Sequence, residues 1–168
     1  MNKPKPRILL AEDNETDVLL VRRALARYEI DCEVEHCADG ELAEAAILGW
    51  ESKSDLVQPS QVQPNPVLPS LVLPSLVLLD LNLPRVDGFE LLRLIRSRPQ
   101  LGGVRVAILT SSHSPSDMSK ARELGANAFI IKPPSLEPFL SEVGTMIREL
   151  LRGKGNLPRN HDGDAHAA

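Results

Sequence analysis

At 168 residues, 42% of them apolar, the chain suits a single domain with a real core. Its net charge of -4, the absence of a dense Lys/Arg cluster and the scarcity of aromatics (one Trp, one Tyr, three Phe) argue against a nucleic-acid binder, which needs a basic footprint or a stacking platform. No apolar run approaches the ~18 residues of a membrane span, and the polar residues 1–6 read as an N-terminal tail without a secretory core.

Arg7-Ile8-Leu9-Leu10-Ala11 reads as a short buried strand that ends in Glu12-Asp13-Asn14. Residues 16–28 then place Val18, Leu19, Val21, Leu25 and Ala26 at helical spacing, with Asn14 as the cap. Residues 32–37 alternate as a strand of mixed exposure. Its cysteines, Cys32 and Cys37, project to opposite faces, which argues against a bridge and for a reduced, cytosolic setting. Asp39-Gly40-Glu41 opens a second helix, expected to run through Ile47-Leu48 and to stop at Gly49.

Residues 51–75 break this alternation and read as an insertion. Pro59, Pro64, Pro66, Pro69 and Pro74 forbid helix there and spoil a central strand. The segment ends in a pentad repeat, Pro66-Val67-Leu68-Pro69-Ser70 then Leu71-Val72-Leu73-Pro74-Ser75, followed by Leu76-Val77-Leu78-Leu79-Asp80. Slipping the strand back one copy would put Ser75 at the place of Asp80 and Pro74 at that of Leu79, and would swap every side chain's face. The acid and the amide donor select the last copy. Its apolar run has the pattern of a strand buried on both faces, and Leu81-Asn82-Leu83-Pro84-Arg85-Val86-Asp87-Gly88 turns away just where Asp80 emerges.

Residues 87–97 are helical, with Phe89, Leu91, Leu92, Leu94 and Ile95 apolar and the arginines outward. After Pro99 and Gly102-Gly103, residues 104–109 form a strand that ends in Thr110-Ser111-Ser112. Ser114-Pro115-Ser116-Asp117 starts a helix that runs to Leu124 and stops at Gly125. Ala128-Phe129-Ile130-Ile131 is a strand ending in Lys132-Pro133-Pro134, and residues 135–151 form a last helix with Leu136, Phe139, Leu140, Val143, Ile147, Leu150 and Leu151 as its apolar face. Ile147 and Leu150 serve either the core or an interface. From Gly153 to Ala168 the chain is polar and is expected to be a disordered tail. The domain therefore spans residues 7–152. Five strands alternating with five helices imply an α/β fold, a doubly wound parallel sheet in the flavodoxin-like arrangement with strand order 2-1-3-4-5.

In that order the strand ends bring Glu12, Asp13, Asp80, Thr110 and Lys132 to one rim. Three carboxylates held together repel one another and call for a cation, and hard oxygen ligands suit Mg²⁺. A hydroxyl and an ammonium beside them make a site for phosphoryl oxygens, where Asp80 can act as a carboxylate nucleophile.

This set resembles the receiver domain of two-component response regulators over residues 7–151. The resemblance rests on Ile8-Leu9-Leu10-Ala11-Glu12-Asp13-Asn14, on Leu78-Leu79-Asp80 through Pro84 to Asp87-Gly88, on Leu109-Thr110-Ser111 and on Ile131-Lys132-Pro133. It implies that Asp80 is the phosphoacceptor, that Asp13 binds Mg²⁺ directly and Glu12 through water, and that the Asn82 backbone carbonyl completes the protein ligands. It further implies that Thr110, Ser111 and Lys132 contact the phosphoryl group, that the Lys132–Pro133 bond is cis, and that Phe129 occupies an aromatic switch position without a hydroxyl. The implied function is a cytoplasmic, stand-alone receiver. It would take phosphate from a sensor histidine kinase, pass the signal by phosphorylation-dependent docking to a downstream protein or phosphotransfer partner, and form homodimers where an interface exists. It would not be an enzyme beyond self-phosphorylation and slow autodephosphorylation. The Leu81-Asn82-Leu83-Pro84 form and the long segment before the third strand look most like the regulators paired with bacterial phytochrome kinases. Two rivals remain: a phosphate-independent docking module on the same fold, and a hydrolase of the haloacid dehalogenase type. The hydrolase expects an acid where this chain has Asn82.

Overall fold

The computed structural model describes residues 5–54 and 73–157. The upstream pentad, most of the insertion and the end of the C-terminal tail lie outside them. Five parallel strands, β1 (Arg7–Ala11), β2 (Glu33–Cys37), β3 (Leu76–Leu79), β4 (Arg105–Thr110) and β5 (Ala128–Ile131), form one sheet in the order β2-β1-β3-β4-β5. The helices are α1 (Glu15–Arg27), α2 (Gly40–Ser54), α3 (Gly88–Arg96), α4 (Pro115–Glu123) and α5 (Leu136–Leu151), with a short 3-10 turn at Pro99–Leu101. The fold class and strand order are those read from the sequence.

Period-two alternation divides the core into two layers. Leu9, Ala11, Val77, Leu79, Val106, Ile108 and Phe129 face the layer under α2, α3 and α4, together with Cys37. Ile8, Leu10, Leu76, Leu78, Ala107, Leu109 and Ile130 face the layer under α1 and α5. Cys37 belongs to the first layer and Cys32 packs against the second; both are free thiols. β3 pairs Leu76 with Ile8 and Leu79 with Ala11, so the last copy of the pentad is the strand. Ile147 and Leu150 are fully buried in the second layer and therefore belong to the core.

Four expectations need correction. α2 passes Gly49, where a Cβ would meet nothing within 4 Å, and continues to Ser54, so residues 51–54, read as the start of the insertion, are helical. Leu19 and Ala26 lie on the exposed side of α1, and Ala24 takes their place in the core, because the stripe follows positions 18, 21, 24 and 25. Arg96 turns inward, donating to the carbonyls of Gly125 (2.9 Å) and Val104 (2.9 Å) and to Asn127 Oδ1 (3.0 Å). Residues 153–157, read as the start of the tail, fold back onto the domain; residues 158–168 lie outside the described residues. Leu157 packs into the first layer, and the Asn156 side-chain amide bonds both the N–H and the C=O of Phe129, at 2.9 Å each.

Candidate functional site

Each rim residue is delivered by a strand end whose backbone is already paired. The Glu12 N–H donates to Cys37 (3.1 Å), that of Asp80 to Ala11 (3.0 Å) and that of Lys132 to Thr110 (2.8 Å). The acids and the ammonium are thus placed by the sheet rather than by mobile loops. Asn14 caps α1 through the amides of Thr16 and Asp17, and its own N–H donates to Glu12 Oε1 at 3.1 Å. His36 Nε2 lies 2.8 Å from the Glu12 carbonyl oxygen; since a carbonyl only accepts, that nitrogen carries the proton.

Glu12 is 1% exposed, Asp80 7% and Lys132 8%, while Asp13 faces solvent. Lys132 Nζ donates to Glu12 Oε2 (2.6 Å), to Asp80 Oδ2 (2.9 Å) and to Asp17 Oδ2 (2.9 Å). Asp80 Oδ1 accepts the Asn82 N–H at 3.2 Å. Burial pushes the Glu12 carboxyl up to about 7, against the pull of the Lys132 ammonium. Burial also works to lower Lys132, but its hydrogen bonds to Glu12, Asp17 and Asp80 outweigh it and hold the ammonium above its ordinary range.

One ligand atom from each of Glu12, Asp13 and Asp80 lies within 4.8 Å of the others. An oxygen-only set with one exposed member and solvent beside it fits a hard divalent cation that keeps part of its water. Three carboxylates share the Lys132 ammonium and Asp13 stands beside two of them, an excess of negative charge that such a cation would offset.

Thr110 is fully buried, and its hydroxyl oxygen accepts the Ser112 N–H at 3.2 Å. Ser111 is exposed at the head of that loop. Ser112 Oγ donates to Asp117 Oδ2 at 2.6 Å, tying the loop to α4; Ser114 sits at the cap position but bonds Ser116 instead of an amide. Phe129 is buried, its ring in the first layer. The Lys132–Pro133 bond is not cis: the described residues contain no cis peptide bond. The trans form is the majority state of X–Pro bonds, and Lys132 reaches its acids from it.

The loop after β3 is tight. Gly88 donates to the Leu81 carbonyl (3.2 Å), and a Cβ on it would stand 2.2 Å from the Asp80 carbonyl oxygen. Asp87 and Glu90 form a reciprocal capping box that starts α3. Arg85 adopts φ 71°, in the left-handed region, a conformation that costs a non-glycine residue on the order of 1–3 kcal/mol.

Two contributors were missed in the sequence. Asp17 looks like an ordinary first-turn acid on α1, and only its 115-residue separation from Lys132, closed by the fold, makes it a partner. Asn156 lies in a polar stretch that carries no element signal. An open groove of about 750 Å³ beside it, lined by Met118, Phe129, Ile131, Met146 and Glu149 among others, lies on the side of β5, α4 and α5; none of the rim acids lines it.

Comparison with known proteins agrees on one family. The model of the response regulator receiver domain matches residues 67–143, a span that leaves out β1 with Glu12 and Asp13. Response regulator Rcp1 of Synechocystis sp. is 35% identical over 142 residues, which is 84% of this chain and 86% of that protein. The structure of the phosphorylated cyanobacterial phytochrome response regulator RcpA superposes with a TM-score of 0.71 at 30% identity, covering 92% of this chain and 99% of RcpA. The Mn²⁺-bound form of Rcp1 gives 0.68 at 32% identity, with 92% and 99% covered.

Proposed function

The chain belongs to the response regulator receiver family of two-component systems, and on that premise we propose that it accepts a phosphoryl group from a sensor histidine kinase on Asp80 and signals by phosphorylation-dependent protein docking. The observation that carries the reading is the meeting of buried Asp80, Glu12 and Lys132 with exposed Asp13 at one rim.

The step is a displacement at phosphorus. An Asp80 carboxylate oxygen attacks the phosphoimidazole phosphorus, the P–O bond forms as the P–N bond breaks, and the imidazole leaves with its electron pair and is protonated by solvent. A carboxylate has no proton to lose, so no general base is required. Lys132, already on Asp80 Oδ2 at 2.9 Å, pairs with a phosphoryl oxygen, and Thr110 and Ser111 donate hydroxyls to the others. Attack by water returns Asp80 and inorganic phosphate. Glu12, Asp13, Asp80 and the Asn82 carbonyl would hold Mg²⁺, which when bound supplies charge neutralisation at the carboxylates and the transferred phosphoryl oxygens.

Phosphorylation adds negative charge and acceptor oxygens at the rim. As Thr110 turns to them it gives up the Ser112 amide, and the change passes through Ser112 and Asp117 to α4 and the face it shares with β5 and α5. That face docks the downstream protein, a phosphotransfer partner or a second copy. RcpA is a cyanobacterial phytochrome response regulator, which supports a bacteriophytochrome as the kinase; no helix among the described residues is long and apolar enough to cross a membrane.

The test is incubation with acetyl phosphate or a phytochrome-type kinase, with and without Mg²⁺. A mass gain of one phosphoryl group is expected on the wild type in Mg²⁺ and is absent from Asp80→Asn. Acyl phosphate persisting on that variant would overturn the assignment.

A further inference from the structure

Pro84, Arg85 and Val86 form a γ-turn, in which the Val86 N–H donates back to the Pro84 carbonyl at 2.9 Å across Arg85 at φ 71°. This is the rare, strained hand of that turn, in which glycine is the comfortable residue. Arg85 is nevertheless held there by its side chain. Its Nη1 lies 3.1 Å from Asp39 Oδ2 and 2.8 Å from Glu41 Oε2, both at the start of α2. The backbones meet at the same place. The Gly40 N–H donates to the Pro84 carbonyl at 3.2 Å, and a Cβ on Gly40 would lie 1.8 Å from the Val86 carbonyl oxygen.

Isolated surface ion pairs contribute little, but this one differs in its acid. Asp39 is 9% exposed, and its Oδ1 already accepts the Leu42 N–H at 2.8 Å as the cap of α2. Without Arg85 its second oxygen loses its ion-pair partner in a nearly buried position. The latch therefore fastens the far end of the loop to α2, as Gly88 fastens its near end to Leu81. Between the two fastenings lies Asn82, whose N–H holds Asp80 Oδ1.

We propose that Arg85 is a positioning residue: through Asp39 and Glu41 it sets the loop that presents the Asn82 carbonyl and the Asp80 carboxylate, and so tunes cation affinity at the rim. The inference rests on the reading of the rim as a divalent-cation site. Strain and function then pull in opposite directions at residue 85. Glycine relieves the turn but releases the loop.

The experiment compares wild type, Arg85→Gly, Arg85→Lys and Asp39→Asn/Glu41→Gln in the unphosphorylated full chain. Calorimetric Mg²⁺ affinity, thermal midpoint and amide hydrogen exchange are measured for each. Arg85→Gly is expected to keep or raise the midpoint, to weaken Mg²⁺ binding roughly 10-fold, the low end for groups that hold ligands in place, and to speed exchange at Gly40 and Val86. The acid double variant should show the same loss, and adding Arg85→Gly to it no more. Arg85→Lys should recover part of it. Affinity and exchange in Arg85→Gly equal to wild type, or losses that merely follow the midpoint, overturn the latch. A wild type that binds no Mg²⁺ overturns the cation reading instead, and exchange alone then decides the latch.

Discussion

β3 and the rim one residue beyond it obey opposite rules. Leu76, Val77, Leu78 and Leu79 are 0% exposed, and burying each such side chain stabilises the fold by about 1.5–3 kcal/mol. Asp80, the next residue, is almost as deeply buried, yet a buried charge costs several kcal/mol after relaxation. It is tolerated because Lys132 arrives from β5 with Glu12 and Asp17 already on it. The strand carries stability, and its end carries an unneutralised electrostatic demand. Function sits where the second begins.

The sharpest way to break this contrast is Lys132→Ala. It leaves Glu12 and Asp80 buried without their cation, and a loss of about 3–5 kcal/mol is expected in urea unfolding without added metal, part of it recovered with millimolar Mg²⁺. The opposite variant, Leu78→Ala, should cost about 2–5 kcal/mol through a cavity in the second layer. Mg²⁺ should restore none of that cost, and the Mg²⁺ affinity of the folded variant should match the wild type.

The core has a titratable group of its own. Burial pushes the Cys37 thiol up to about 11 from its ordinary 9, with Glu35 and Asp39 adding to the effect. An unfolded thiol ionises first, so the unfolded state binds fewer protons over this range and stability falls as pH rises from about 9 to about 11. The expected loss is on the order of 2 kcal/mol, read as a steeper decline in wild type than in Cys37→Ala across alkaline unfolding curves. The smallest effect is cation binding itself. Mg²⁺ at ten times its dissociation constant should raise stability by about 1.4 kcal/mol, a gain that Asp13→Asn should remove in a thermal-shift titration.

Much of this contrast was legible in the chain. The continuous apolar run of β3, the alternation of strands with helices and the polar residues closing four of the five strands reveal strand order and rim together, because both follow from patterns within a few residues. Local propensity misleads at Gly49, Arg96 and Gly153. At the last two, tertiary partners override it: Arg96 finds three acceptors from other segments, and Asn156 and Leu157 find Phe129 and the first layer. At Gly49 the helix simply continues, since one glycine in a helix costs only about 1 kcal/mol.

The sequence by itself determined the layers of this protein and the four strand ends that meet at its rim, since side-chain period and strand count act locally and leave few topologies open. It also selected the register of β3, because only one copy of the pentad ends in an acid. Tertiary structure alone decided which polar groups touch. Asp17 on Lys132, Arg85 on Asp39 and Glu41, and Asn156 on Phe129 join segments far apart in the chain. No local pattern encodes such pairs; they exist because the fold brings those segments of the chain together.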